Sequence, residues 1–252
     1  MTNYMDTFRL RVKRARQNIT NFDRVSRNFF EPSPYKVITK IKPRVNDDWL
    51  EIHIEIIKDT PRSLGFIFAE CIHNLRSVVD NVIWQLGQKH GTPDRISFPV
   101  TVHCKYFTPL LTDKTNTLSL LPTKALKVIE ELQPYHRGNP QDHPLWILNR
   151  LWNDDKHRTP VVVATISNDT VLDVQAGGIG QWFGPMSLDH DFQLMGVAIP
   201  KYVKIDPELH FTHEVILKIN GQVAGGTNAR ELLLKLHDFV RDEIVEKFKP
   251  FF

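Results

Sequence analysis

The hydrophobic period of this chain changes at Pro160. Most of the apolar residues before it recur about every 3.6 positions, the spacing of an amphipathic helix, and those after it alternate about every second position, the spacing of a half-buried strand. A chain with both patterns, helices bracketing strands, belongs to the α+β class. The expected architecture is a helical core with an N-terminal β-hairpin and a C-terminal antiparallel sheet. With 252 residues and no linker or repeat, one domain over 1–252 is expected. Its mainly helical part covers 1–158 and its strand-rich part, with a last helix, covers 159–252.

The segments follow from this. Residues 5–28 read as an amphipathic helix, stopped by Pro32 and Pro34. YKVITKIK and WLEIHIEII alternate and flank Asn46, Asp47 and Asp48, so 35–57 reads as a hairpin. Residues 62–89 carry a long helical pattern. A short strand is expected over 97–104 and a helix over 123–132. Another helix runs from about 143 to 156, with Asp142 as its expected N-cap and Pro144 in its first turn. TPVVVATIS, TVLDVQA, DFQLMGVAI and HFTHEVILKI read as strands, and 228–248 as the last helix.

Two helices carry polar stripes. On a wheel of about 100° per residue, Ile67, Phe68, Cys71, Ile72, Leu75, Val78, Val79, Val82, Ile83 and Leu86 form one broad arc. Glu70, His73, Asn74, Arg76, Ser77, Asp80 and Asn81 share the other. Phe66 and Trp84 also lie on the polar arc, so a groove or helix interface and an open wet surface are equal readings of it. Cys71, on the apolar arc, reads as a buried structural thiol. In the helix at 143–156, Trp146, Asn149, Arg150, Asn153 and His157 gather opposite Leu145, Ile147, Leu148, Leu151 and Trp152. Asp155 falls inside the apolar arc, where a carboxylate needs a cation or several donors.

Charge is local. Residues 1–30 hold seven cations (Arg9, Arg11, Lys13, Arg14, Arg16, Arg24, Arg27) against Asp6 and Asp23, while the whole chain carries only +3. A basic helix can follow a phosphate backbone, or simply be a solvated face. Its apolar side is thin, which disfavours a membrane surface. No apolar run approaches the roughly 20 residues of a bilayer span. The charged N-terminus lacks a signal-peptide core, and two distant cysteines do not suggest a disulfide framework. A soluble cytoplasmic protein is expected.

Three chemistries fit the stripes. Glu70-x-x-His73 and Asp154-x-x-His157 are acid-x-x-His pairs at helical spacing, the pattern with which helix bundles hold divalent metals such as iron, manganese or zinc. Chance supplies about one such pair in a chain with 29 acids and 11 histidines. The second chemistry is metal-independent RNA cleavage. HEPN-type ribonucleases pair an Arg with a His, the imidazole moving protons and the guanidinium meeting phosphate charge. Arg150 with His157 has that spacing, and chance supplies about two such matches. The third reading has no chemistry: a satisfied hydrogen-bond network that sets helix packing.

GFIFAECIHNLRSVVDNVIWQL (65–86), FPV (98–100), LQPYHRG (132–138) and LWILNRLWNDDKHR (145–158) resemble an uncharacterised bacterial family. Its members share a His-Asn-Leu-Arg-Ser-x-x-Asp helix and an Asp-Lys-His-Arg end. The resemblance covers about 1–160 and implies a site more than an activity. Members usually carry a His where this chain has Asn81, a distantly HEPN-like pairing with the Arg that corresponds to Arg76. Here His157 or His73 has to serve instead.

The expected site thus lies between the helices at 62–89 and 143–158. His157, with His73 as the other candidate, is its proton-transfer group, Arg76 and Arg158 hold a phosphate, and Asp80 and Asp155 orient the cations. Asn74, Lys156, Arg150 and Trp84 contact the substrate. The leading expectation is a HEPN-like ribonuclease or RNA-processing protein that needs no cofactor, binds RNA through its first helix and pairs as a homodimer. One alternative is a metal enzyme with Glu70, His73, Asp154 and His157 as ligands. The other is a non-enzymatic nucleic-acid or protein-binding module.

Overall fold

A computed structural model describes residues 4–91, 96–112, 117–157, 161–168, 171–172, 179–180, 183–188, 190–201, 212–219 and 222–252, with the backbone alone for 117, 155–157, 161–168, 171–172, 179–180, 183–187, 212–213, 218–219 and 222–227. The protein is α+β and divides into two compact units. One holds Met1–Phe22, Gly65–Pro160 and Arg230–Phe252; the other holds Asp23–Leu64 and Val161–Ala229.

The first unit is helical. Helix α1 spans Tyr4–Phe30. Its residues Phe8, Val12, Ala15, Ile19 and Phe22, three or four apart, are all buried, as one helix face must be to offset the entropy of ordering the chain. Helix α2 spans Arg62–Lys89, and the whole predicted apolar arc from Ile67 to Leu86 is buried. The rings of Phe22 and Phe68 lie 6.5 Å apart. Cys71 Sγ donates to the Ala15 carbonyl at 3.6 Å, and burial pushes its thiol up to about 12, so it stays a protonated core residue.

Helices α3 (Cys104–Thr112), α4 (Thr123–Glu131), α5 (Pro144–His157) and α6 (Ala229–Phe239) follow. Beyond α6 the chain continues through a π-helical turn, Val240–Val245, into Glu246–Phe248. The cap of α5 differs from expectation. His143, not Asp142, closes it: the ring Nδ1 accepts the Leu145 N–H at 3.1 Å. Asp142 instead accepts from Asn139 Nδ2 at 2.8 Å.

The strand expected over 97–104 is also absent. Residues 96–101 form an extended strap with no sheet partner among the described residues. Pro99 cannot donate to a ladder, and side chains take the place of a neighbouring strand. The next residues, from Cys104, turn into α3.

The second unit is the sheet-bearing one. Strands β1 (Tyr35–Pro43) and β2 (Asp48–Ile56) form the expected antiparallel hairpin, Tyr35 opposite Ile56 and Ile41 opposite Leu50. Among the described residues the strands after α5 begin with β3 (Val161–Asn168), β4 (Val171–Leu172), β5 (Ile179–Gly180), β6 (Phe183–Ser187) and β7 (Phe192–Ile199). Strands β8 (Thr212–Ile219) and β9 (Gln222–Asn228) follow. The sheets run β1-β2-β7, β6-β3-β8-β9 and β4-β5. The hairpin therefore takes its third strand from far along the chain, with Leu50 opposite Val197. Leu50, Ile52 and Ile54 of β2 are buried with Phe29, Leu188, Leu194 and Ile199 in this unit's core. Among the described residues no helix is long and apolar enough to cross a membrane.

Candidate functional site

The helical unit places two polar arrangements on α2, one inward and one outward. The inward one begins at Arg76, which is 3% exposed although its sequence position puts it on the polar arc. Its Nε donates to Asp80 Oδ2 at 3.0 Å and its Nη2 to Asp80 Oδ1 at 2.8 Å, a two-point grip one helical turn apart. The same Nη2 donates to the Phe98 carbonyl at 3.2 Å, and the Phe98 N–H donates back to Asp80 Oδ1 at 3.3 Å. The guanidinium carbon lies 5.3 Å from the Trp152 ring centre, so α2 and α5 meet at this point. Arg76 Nη1 is buried and has no hydrogen-bond partner among the described residues.

Gln133 holds the other end of the strap. It is fully buried. Its Oε1 accepts from the Thr101 N–H at 3.0 Å and the Thr101 hydroxyl at 3.2 Å. Its Nε2 donates to the Pro99 carbonyl at 3.0 Å and the Ile129 carbonyl at 2.9 Å. The segments around Arg76, Phe98 and Gln133, which stand out in the sequence as motifs, are thus joined by one latch. Three side chains satisfy the backbone of 98–101 as a neighbouring strand would. Gln133 is absent from the sequence-derived site. A lone Gln before a proline gives no signal of burial, and only the placement of the strap reveals its role.

The outward arrangement is an open groove of about 450 Å³. Phe66, Ala69, Glu70, His73 and Asn74 line it from α2 and Arg14 from α1. These α2 positions are three or four apart and so share a face. Phe66 is 60% exposed, and Glu70, His73 and Arg14 are exposed too. Asn74 Nδ2 donates to the Glu70 carbonyl at 2.9 Å, which leaves its Oδ1 to accept. Arg14 Nη1 lies 3.5 Å from Gln17 Oε1. Arg11, Lys13, Arg14 and Arg16 make no ion pair among the described residues; Arg9 lies 3.9 Å from Glu246.

The remaining predicted residues lie elsewhere. Trp84 is half-buried and does not line the groove. Arg150 is exposed, 5.2 Å from the Trp146 ring centre and 3.8 Å from Asp154. Asp155, Lys156 and His157 belong to the last turn of α5, but their side chains, and Arg158 altogether, lie outside the described residues. Of the acid-x-x-His ligands, Glu70 and His73 face the groove together, while Asp154 does not line it. No group of three or more metal-ligating side chains occurs among the described residues.

No protein-family model, curated protein or solved structure matches this chain.

Proposed function

We propose that this protein binds single-stranded RNA over α1 and receives one nucleotide in the α1–α2 groove. One observation carries the reading: an arginine that makes no ion pair among the described residues, an exposed histidine and an exposed phenylalanine line the same open groove, beside further α1 cations equally without an ion pair there. Arg14 meets the phosphate. Phe66 offers a face on which a base stacks, a contact worth about 1–3 kcal/mol per base. Asn74 and His73 read base edges or the 2′-hydroxyl. The groove volume falls within the roughly 300–1,000 Å³ of small-ligand sites. Arg76 and Asp80 serve the strap in this reading rather than the ligand.

A second reading adds cleavage, and the shared placement of His73 and Arg14 favours it. His73 takes the proton of the 2′-hydroxyl as that oxygen attacks phosphorus. The bond to the 5′-oxygen breaks, that oxygen is protonated from water, and a 2′,3′-cyclic phosphate remains. Arg14 neutralises the charge on the phosphorane.

Fluorescence anisotropy with a labelled single-stranded RNA at low salt tests the first reading. Three or four phosphate contacts predict a loss of roughly 20- to 50-fold in affinity between 50 and 200 mM salt. Lys13→Glu with Arg14→Glu and Arg16→Glu abolishes binding, and Phe66→Ala weakens it about tenfold. Absence of binding at low salt, or binding indifferent to these changes, defeats the proposal. Incubation of the same RNA in EDTA tests cleavage: products that vanish in His73→Ala establish it, and intact RNA leaves a binding module alone.

A further inference from the structure

The edge of the three-stranded sheet is built to accept another strand. Strand β1 has β2 as its one neighbour among the described residues. Two bonds set which of its groups are spare. Ile57 N–H donates to the Pro34 carbonyl at 2.8 Å, and Arg44 N–H donates to the Asp47 carbonyl at 3.0 Å. Both pairs belong to the hairpin register. In an antiparallel pair every second residue bonds its partner. The even-numbered residues of β1 therefore bond β2, and Val37, Thr39 and Ile41 turn their N–H and C=O groups to the open side.

The side chains select a partner. Val37 and Ile41 stand opposite the buried Ile54 and Leu50 on the core face of the sheet. They are nevertheless 38% and 53% exposed, and among the described residues no strand lies beyond them. On the other face Lys36 and Lys40 are exposed and make no ion pair among the described residues. β1 contains no acid.

We infer that β1 docks an extended acidic peptide segment by strand addition. The segment's apolar residues cover Val37 and Ile41, and its alternate carboxylates face Lys36 and Lys40. Main-chain bonds to Val37, Thr39 and Ile41 supply affinity, and the alternation supplies selectivity. A second copy of β1 is a poor occupant. An antiparallel register centred on Thr39 sets Lys36 against Lys42, and one centred on Lys40 sets the two Lys40 side chains against each other. Edge lysines alone would suit a strand guarded against pairing, yet a guarded strand does not need two exposed apolar residues at its bonding positions.

Titration of the purified full chain with a labelled peptide alternating glutamate and valine tests this, beside one alternating lysine and valine. The acidic peptide binds and the basic one does not. Thr39→Pro removes an outward N–H while leaving the hairpin ladder intact, and it weakens binding about tenfold or more. Lys36→Glu with Lys40→Glu, an exposed pair with little bearing on folding, exchanges the preference for the basic peptide. Failure of the acidic peptide to bind at low salt overturns the inference. So does binding unchanged in Thr39→Pro when the variant melts like the parent, which means charge attraction alone. RNA binding lost in the double lysine variant, with no peptide bound, also overturns it and makes this edge a polyanion surface.

Discussion

The Arg76 guanidinium holds the Asp80 carboxylate at two points, Nε to Oδ2 at 3.0 Å and Nη2 to Oδ1 at 2.8 Å. Both residues then bond the backbone of Phe98, so the pair is a fastener for the strap and not two free charges. Asp80→Ala leaves Arg76 buried, charged and without its anion. The expected loss of stability is about 3 kcal/mol, because removing one partner of a buried pair costs far more than removing both. Adding Arg76→Met to that variant recovers part of the loss. Urea unfolding of the two variants checks this, and a double variant less stable than Asp80→Ala contradicts the latch.

His143 makes stability depend on pH. Burial, with Arg137 and Lys235 nearby, pushes its pKa down to about 4, and its Nδ1 lone pair is spent on the Leu145 N–H. An ordinary histidine in the unfolded chain titrates near about 6.5. Between those values the unfolded chain binds a proton that the folded chain does not. Stability therefore rises with pH across that window, and up to roughly 3 kcal/mol is lost as pH falls through it. His143→Asn keeps an N-cap acceptor without the titration. The difference between parent and variant unfolding free energies, measured from pH 7 to pH 4, shrinks as the pH drops. A constant difference contradicts the assignment.

Gly196 is required by its neighbour Trp49. A Cβ on Gly196 would sit 2.6 Å from the Trp49 ring, inside any real contact, and the Arg44 guanidinium also lies over that ring, 4.1 Å from its centre. Gly196→Ala must push the indole aside, at an expected cost of about 1–3 kcal/mol. Chemical denaturation measures the loss, and adding Trp49→Val relieves most of it. An alanine variant as stable as the parent contradicts the close approach.

Much of the local structure was legible in the residues. The bounds of α2 and the pairing of β1 with β2 follow from spacing, and so does the burial of Cys71, since hydrophobic period is a local quantity. The site was legible only in part. His73, Asn74 and Glu70 do share an accessible face, with Phe66 beside them. Arg76 occupies the same arc and points inward, because the strap covers that part of the helix. Nothing within α2 announces a strap that begins at Ile96, beyond its own end at Lys89. Arg14 reached the groove only when α1 was laid beside α2.

By itself, then, the sequence determined most of the helices and strands, though not α3, β6 or the strap at 96–101, as well as which faces are apolar and where the positive charge is concentrated. Each of these depends on residues a few positions apart. Tertiary structure alone decided that β2 takes β7 as its second neighbour, that Gln133 and the Arg76–Asp80 pair clasp the backbone of 98–101, and that β1 keeps an open edge among the described residues. Those outcomes rest on unpaired backbone groups finding partners far along the chain, and many partners satisfy the same local pattern.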